Sequence, residues 1–297
     1  MNQKSLGLLL MAFAAAMLGI ATILMKWILL STQLSPGQVA IWRFIIAAPL
    51  MSLFILMQNG LAGFFPNSPS KFIGLGVIFS IASLSAVFAL ERLSSSIYVI
   101  IVYLYPSLVV LYALFTGHAV PKFFWLGLPL TFIGLFLTAY DFNQKMTVDW
   151  MGVLITLLNS FAVAVYMLRS ETVFRRIPSR LTGTNAVFLG GMLVSLLMIP
   201  IFGLRFPDTW TGWLLLLSFG VFGTFAPILA MNYGLQLIGA ARGSIMATIQ
   251  PVLTVLISLL IFNDVLTLQQ ILGGVLVIGA VALLQLSPDQ EKQKLKT

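Results

Sequence analysis

The chain has 297 residues, 60% of them hydrophobic and 8% charged, against about 45–50% and about 25% in soluble globular domains. A water-soluble globule is excluded, and at about 20 apolar residues per crossing the length admits roughly ten spans and no separate soluble domain. Cysteine is absent, which excludes disulfides and thiolate sites; the net charge of +8 comes from 16 basic residues scattered singly through loops, which form no phosphate-tracking patch, so no nucleic-acid partner is expected.

The first apolar run, 6–28 behind Lys4, is longer than a signal-peptide core and has no small-residue cleavage site after Lys26. It reads as the first spanning helix. Cutting the rest at charges, Pro/Gly clusters and polar turns gives ten segments: 6–29, 37–57, 72–91, 97–116, 123–140, 151–171, 183–204, 211–235, 243–262 and 270–286. The turn Pro66-Asn67-Ser68-Pro69 and the basic loop from Arg175 to Arg180 suit a membrane surface. With ten spans and the N-terminus inside, 11 Lys and Arg fall on the inner side and 5 on the outer, which predicts cytoplasmic termini in the inner (cell) membrane.

Sliding the chain along itself by 145 residues lays Gly7 on Gly152, Lys26 on Glu171, Ile100 on Ile245, Pro106 on Pro251 and Gly134 on Gly279 without a gap. Proline and glycine in register inside apolar helices mark a duplication. Each copy holds five spans, an odd number, so the second enters the bilayer inverted. The expected fold is therefore all-α and membrane-integral, with ten transmembrane helices as two inverted five-helix repeats, 1–145 and 146–297, the latter ending in a short basic tail. Inverted repeats around one midplane site are the architecture of alternating access.

The residues resemble the drug/metabolite transporter superfamily, specifically its EamA type. In the first repeat the resemblance rests on Lys26, Leu34-Ser35-Pro36 and Trp42-Arg43-Phe44. In the second it rests on Ala230 to Leu235, Gly239-Ala240-Ala241, Gln250-Pro251-Val252, Asn263 to Thr267 and Gly273 to Gly279. It implies carriage of small metabolites, mostly outward in bacteria, through a cavity lined by helices 1, 3, 4, 6, 8 and 9. The sequence departs at Gln250, where many relatives carry Glu, and around His118-Ala119, which replaces an acidic residue.

Ionisable groups near the bilayer centre are default functional candidates, but Lys26, Arg43, Glu91, Arg92, His118, Arg169 and Glu171 all fall within two turns of a predicted helix end, where side chains snorkel to water. Interfacial anchoring is their ordinary reading. The functional alternative puts Lys26 and Arg43 at the outer mouth, drawing an anionic substrate group, and pairs Glu171 with Arg169 or Arg175 at the inner gate. Tyr98, Tyr105 and Tyr112 recur every seven residues, on one face of an unbroken helix 4. Asn159 with Tyr166, Asn232 with Gln236, and Gln250, the 145-residue counterpart of Tyr105, supply further uncharged groups. Tyr98, Tyr105, Asn159, Tyr166, Asn232 and Gln250 are the candidate substrate-binding set; the alternatives are an interfacial aromatic belt for Tyr98, helix-to-helix packing for Tyr105 and interhelical hydrogen bonding for the other four.

One histidine, no cysteine and no midmembrane carboxylate give an enzyme little to work with, and no metal or cofactor is expected. A non-transporting receptor or assembly subunit fits the composition but leaves the duplication unexplained. The reading is a carrier of small neutral or zwitterionic solutes, amino acids or toxic compounds, in the export direction. It works as a monomer or weak homodimer, with movement down a gradient rather than tight proton coupling.

Overall fold

The computed structural model describes residues 2–93, 95–116, 122–139, 149–174, 179–253 and 267–285, all helix, turn or loop. Eleven helices follow in order: α1 Gln3–Ser31, α2 Pro36–Asn59, α3 Pro69–Leu90, α4 Ser95–Val102, α5 Tyr105–Phe115, α6 Lys122–Ala139, α7 Trp150–Phe174, α8 Arg180–Phe202, α9 Trp210–Gly220, α10 Ala226–Ala247 and α11 Leu268–Gln285. Among the described residues seven helical stretches are long and apolar enough to cross a membrane, and Phe124–Leu137 and Ile271–Ala280 are shorter apolar helices.

Local chemistry starts these helices. Ser35 accepts from the Gln38 N–H while Gln38 Oε1 accepts from the Ser35 N–H, a reciprocal cap ahead of Pro36. Thr209 accepts from the Gly212 N–H at 3.1 Å to open α9. Asp149 opens α7 by accepting from Met151 and Gly152 at 2.8 and 3.1 Å. The Gly152 N–H, chiefly, then Arg92 and the Met151 N–H hold its carboxyl below the ordinary value, and Arg92 ties it to the end of α3 at 3.2 Å.

Three breaks depart from the sequence expectation. The fourth segment is not one helix: Tyr103–Leu104 form a turn between α4 and α5, because Pro106 has no N–H to return to the Val102 carbonyl. The seven-residue spacing therefore does not keep three tyrosines on one face, and Tyr112 is 52% exposed whereas Tyr105 is 5% exposed. The eighth segment is interrupted by a π-helical turn over Val221–Phe225. It then runs on through Gly239, at φ 81° and ψ 163°, a conformation open essentially only to glycine.

The 145-residue offset recurs in the backbone and in the contacts. Helix stops at Val102 and turns at Tyr103; 145 residues later it stops at Ala247 and turns at Thr248. Gly7 of α1 seats Leu237 and Ile238 of α10, and Gly152 of α7 seats Arg92 and Leu93 at the end of α3. All three members of the first contact are shifted by the same 145. Between these pairs α3 and α8 touch backbone to backbone, with Gly76 against Val187, Gly190 and Gly191, the close approach small residues permit. Helix α6 packs along α11 through Gly134.

Candidate functional site

Arg43 lies on the eighth residue of α2, about 10 Å along the axis from its start. Its neighbours on the chain fix which way it points. Trp42 donates its indole N–H to the Arg205 carbonyl at 2.8 Å and stacks edge-on with Phe206 and Trp213. Gln38 donates to the Phe202 carbonyl at 3.0 Å. With these held against the α8–α9 connection, Arg43 turns into the bundle. Nε donates to Thr224 Oγ1 at 3.1 Å, Nη1 to Ser83 Oγ at 2.8 Å and Nη2 to the Gly223 carbonyl at 3.3 Å. The rings of Phe44, Phe79 and Phe219 stand 5.6–5.7 Å from the guanidinium carbon, within cation–π range.

This corrects the snorkelling expectation. An arginine that stays inside a span costs about 2.5–3.5 kcal/mol on insertion scales, so three side-chain-to-helix bonds and three rings are what hold it there. The π-helical turn supplies two of the acceptors. Gly223 has no side chain where Ala21 of α1 and Phe219 press against it, and Gly220 has none where Ile46 does. Among the described residues no carboxylate faces Arg43. The signal in the sequence was Ala40 and Ala47, three before and four after Arg43: small residues on its own face mark a helix-contact side rather than a lipid side.

Below this layer lies a neutral hub. Tyr166 OH donates to Asn232 Oδ1 at 2.8 Å, and Asn232 Nδ2 donates to Thr184 Oγ1 at 3.4 Å, joining α7, α10 and α8. The three residues are 1%, 0% and 0% exposed. The Phe79 ring stands 5.0 Å from the Tyr166 ring and 5.6 Å from the Arg43 guanidinium, so one phenylalanine partitions the two regions. Asn159 donates to the Ala82 carbonyl at 2.7 Å and to Tyr98 OH at 3.5 Å. Tyr105 OH donates to the Ser244 carbonyl at 3.3 Å. Gln250 is half-buried where helical backbone resumes over 249–253. Of the six candidate binding residues the structure thus joins Tyr166 with Asn232 and Tyr98 with Asn159.

In the last turn of α7, Glu171 Oε2 accepts the Ala240 N–H at 2.7 Å, just past the Gly239 kink. Gln236 donates to the Phe174 carbonyl at 2.6 Å. Glu171 thus caps a broken helix, because the kink frees a backbone donor; its expected partner Arg175 lies outside the described residues. Arg169 is exposed, two residues away and so on another face. Lys26 is exposed in the last turns of α1. His118, Arg175, Arg176 and Asp264 lie outside the described residues. No group of three or more His, Cys, Asp or Glu stands together among the described residues.

The model of the EamA-like transporter family matches residues 5–140 and again 150–286. The chain belongs to the EamA-like transporter family. It is thereby a member of the drug/metabolite transporter superfamily and a multi-pass membrane protein of transporter kind. It is similar to an uncharacterized transporter of Archaeoglobus fulgidus, at 27% identity over 210 residues that make up 70% of this chain and 74% of that one. It is similar also to the uncharacterized transporter sll1319 of Synechocystis, at 29% identity over 237 residues covering 75% and 70%. One crystal structure, 18% identical, superposes with a TM-score of 0.76 over 93% of this chain and 96% of that one, so the two share the EamA-type fold.

Proposed function

We propose that this EamA-like transporter carries small neutral or zwitterionic solutes by alternating access, outward across the inner membrane, with both termini in the cytoplasm. Its ten spans form two inverted repeats, 1–145 and 146–297. The observation that carries this reading is the exchanged contact: Gly7 on Leu237 and Ile238, Gly152 on Arg92 and Leu93, each residue displaced by 145. A pseudo-symmetric pair of seams gives two related ways to close the same bundle, one at each face, which is what alternating access requires.

Tyr98, Tyr105, Asn159, Tyr166, Asn232 and Gln250 furnish the walls of the pathway with uncharged donors and acceptors among apolar side chains, the usual makeup of a small-molecule site. Tyr105→Ala and Asn232→Ala are expected to change uptake or efflux kinetics in proteoliposomes, assayed against an amino-acid and metabolite panel, with the protein still monodisperse. Unchanged kinetics for both would place the site elsewhere. The described carboxylates Glu91, Asp149, Glu171 and Asp208 sit at helix ends or in loops, which supports movement down a gradient or exchange; accumulation that collapses with a protonophore would overturn that part.

A further inference from the structure

We infer that Arg43 is the anchor for a carboxylate on the transported solute, so that the carried class is carboxylate-bearing and includes zwitterions such as amino acids. This rests on the transporter reading above and narrows it.

A guanidinium has five N–H donors. Three are taken, by Thr224, Ser83 and the Gly223 carbonyl. The two that remain are one on each terminal nitrogen, and a carboxylate, with two oxygens, is the group best suited to take them. All three acceptors in place are neutral, and no carboxylate among the described residues balances the charge. Arg43 is half-buried in the bundle and keeps some accessible surface.

The three rings shape the same conclusion. Phe44, Phe79 and Phe219 stand 5.6–5.7 Å from the guanidinium carbon and give the cation an apolar neighbourhood. A solute with a carboxylate at one end and an apolar part at the other satisfies both, whereas an amide offers one neutral oxygen and brings an N–H toward a cation. In this conformation the hub on the far side of Phe79 offers no open charged donor, since Tyr166, Asn232 and Thr184 are neutral, bond one another and have almost no exposed surface.

The test is modification of the purified wild-type protein with phenylglyoxal, read at Arg43 by peptide mass spectrometry. Acetate and 3-phenylpropionate, compared with acetamide and 3-phenylpropanamide at equal concentration, are expected to slow labelling of Arg43 while leaving exposed Arg205 unaffected. Equal labelling under acid and amide overturns the anchor. In proteoliposomes L-phenylalanine is expected to be carried in preference to L-phenylalaninamide, and Arg43→Gln to lower that preference about tenfold, the worth of one charge-assisted pair, with partial retention in Arg43→Lys. Equal transport of acid and amide by the wild type also overturns the anchor and leaves the transporter reading standing. Transport of no solute in any panel sinks the transporter reading itself, and the labelling experiment, which needs no transport and no variant, still decides whether Arg43 holds a carboxylate.

Discussion

The Arg43 layer and the Tyr166–Asn232–Thr184 hub sit on opposite sides of one ring, Phe79, and solve the burial of polar groups differently. In the hub three neutral side chains bond one another and lose nearly all contact with solvent. In the layer a charged group retains surface and two unused donors. A buried polar group with a partner is structural until something displaces that partner, because leaving the group unpaired costs about 1–3 kcal/mol. A group whose donors outnumber its acceptors has capacity to spare in the conformation seen. In the conformation seen, the hub therefore sets how α7, α8 and α10 meet and can serve a solute only by exchanging its own bonds, whereas the layer is where an incoming solute finds an open bond.

The strongest challenge to this contrast is to disturb the seam that holds both regions at one spacing. Gly76 shares a face of α3 with Ser83, seven residues on, and meets the backbone of α8 at Val187, Gly190 and Gly191; α8 also carries Thr184 of the hub. Gly76→Val forces these backbones apart and is expected to cost about 3 kcal/mol, lowering the thermal midpoint and also speeding phenylglyoxal labelling of Arg43. Destabilisation without any change at Arg43 would show that the layer does not depend on the seam.

Smaller and more local is Asn232→Ala, which strands the Tyr166 and Thr184 hydroxyls without their partner. The expected loss is about 2 kcal/mol on the soluble-protein scale, shrinking toward about 0.6 if membrane averages for single interhelical bonds apply, measured by denaturant titration in detergent. Arg43 labelling should stay at the wild-type rate, since Phe79 stands between. The mildest change is Phe79→Leu, which keeps an apolar residue but removes one cation–π contact and one ring pair, about 1 kcal/mol together. Here stability falls little while Arg43 labelling rises; if neither moves, the ring is not the partition.

Much of the fold was legible in the sequence, and the reason is that lipid and protein interior are both apolar. Each spanning segment is then a long hydrophobic run cut by turns such as Pro66 to Pro69, and the duplicated Pro106 and Pro251 stand out against it. The same fact hides direction. A helix that is hydrophobic all round carries no periodic signal for its inward face, so Arg43 read as a snorkelling end residue when Ala40 and Ala47 were turning it inward. The Tyr103 break follows from Pro106 and its missing donor, and was foreseeable. The π-helical turn was not, because Gly220 and Gly223 permit it only in the presence of Ile46 and Ala21 from other helices, and those neighbours are set by the tertiary fold.

The π-helical turn over Val221–Phe225 also makes the α9–α10 span intolerant of length changes in a way its neighbours are not. It holds one residue more than the α-helical path would need, and each residue rotates a helix by about 100°. Loss of a single codon there would relax the turn into ordinary α-helix and swing everything from Ala226 onward through that angle. Asn232 would then no longer address Tyr166, Gly234 would leave Met11, and the Gly223 carbonyl would be drawn back into its own helix and away from Arg43. The inserted residue acts as a phase shifter, letting one span present an acceptor to a cation at the turn and an amide to a tyrosine further along, on faces that an uninterrupted helix of the same sequence would not align.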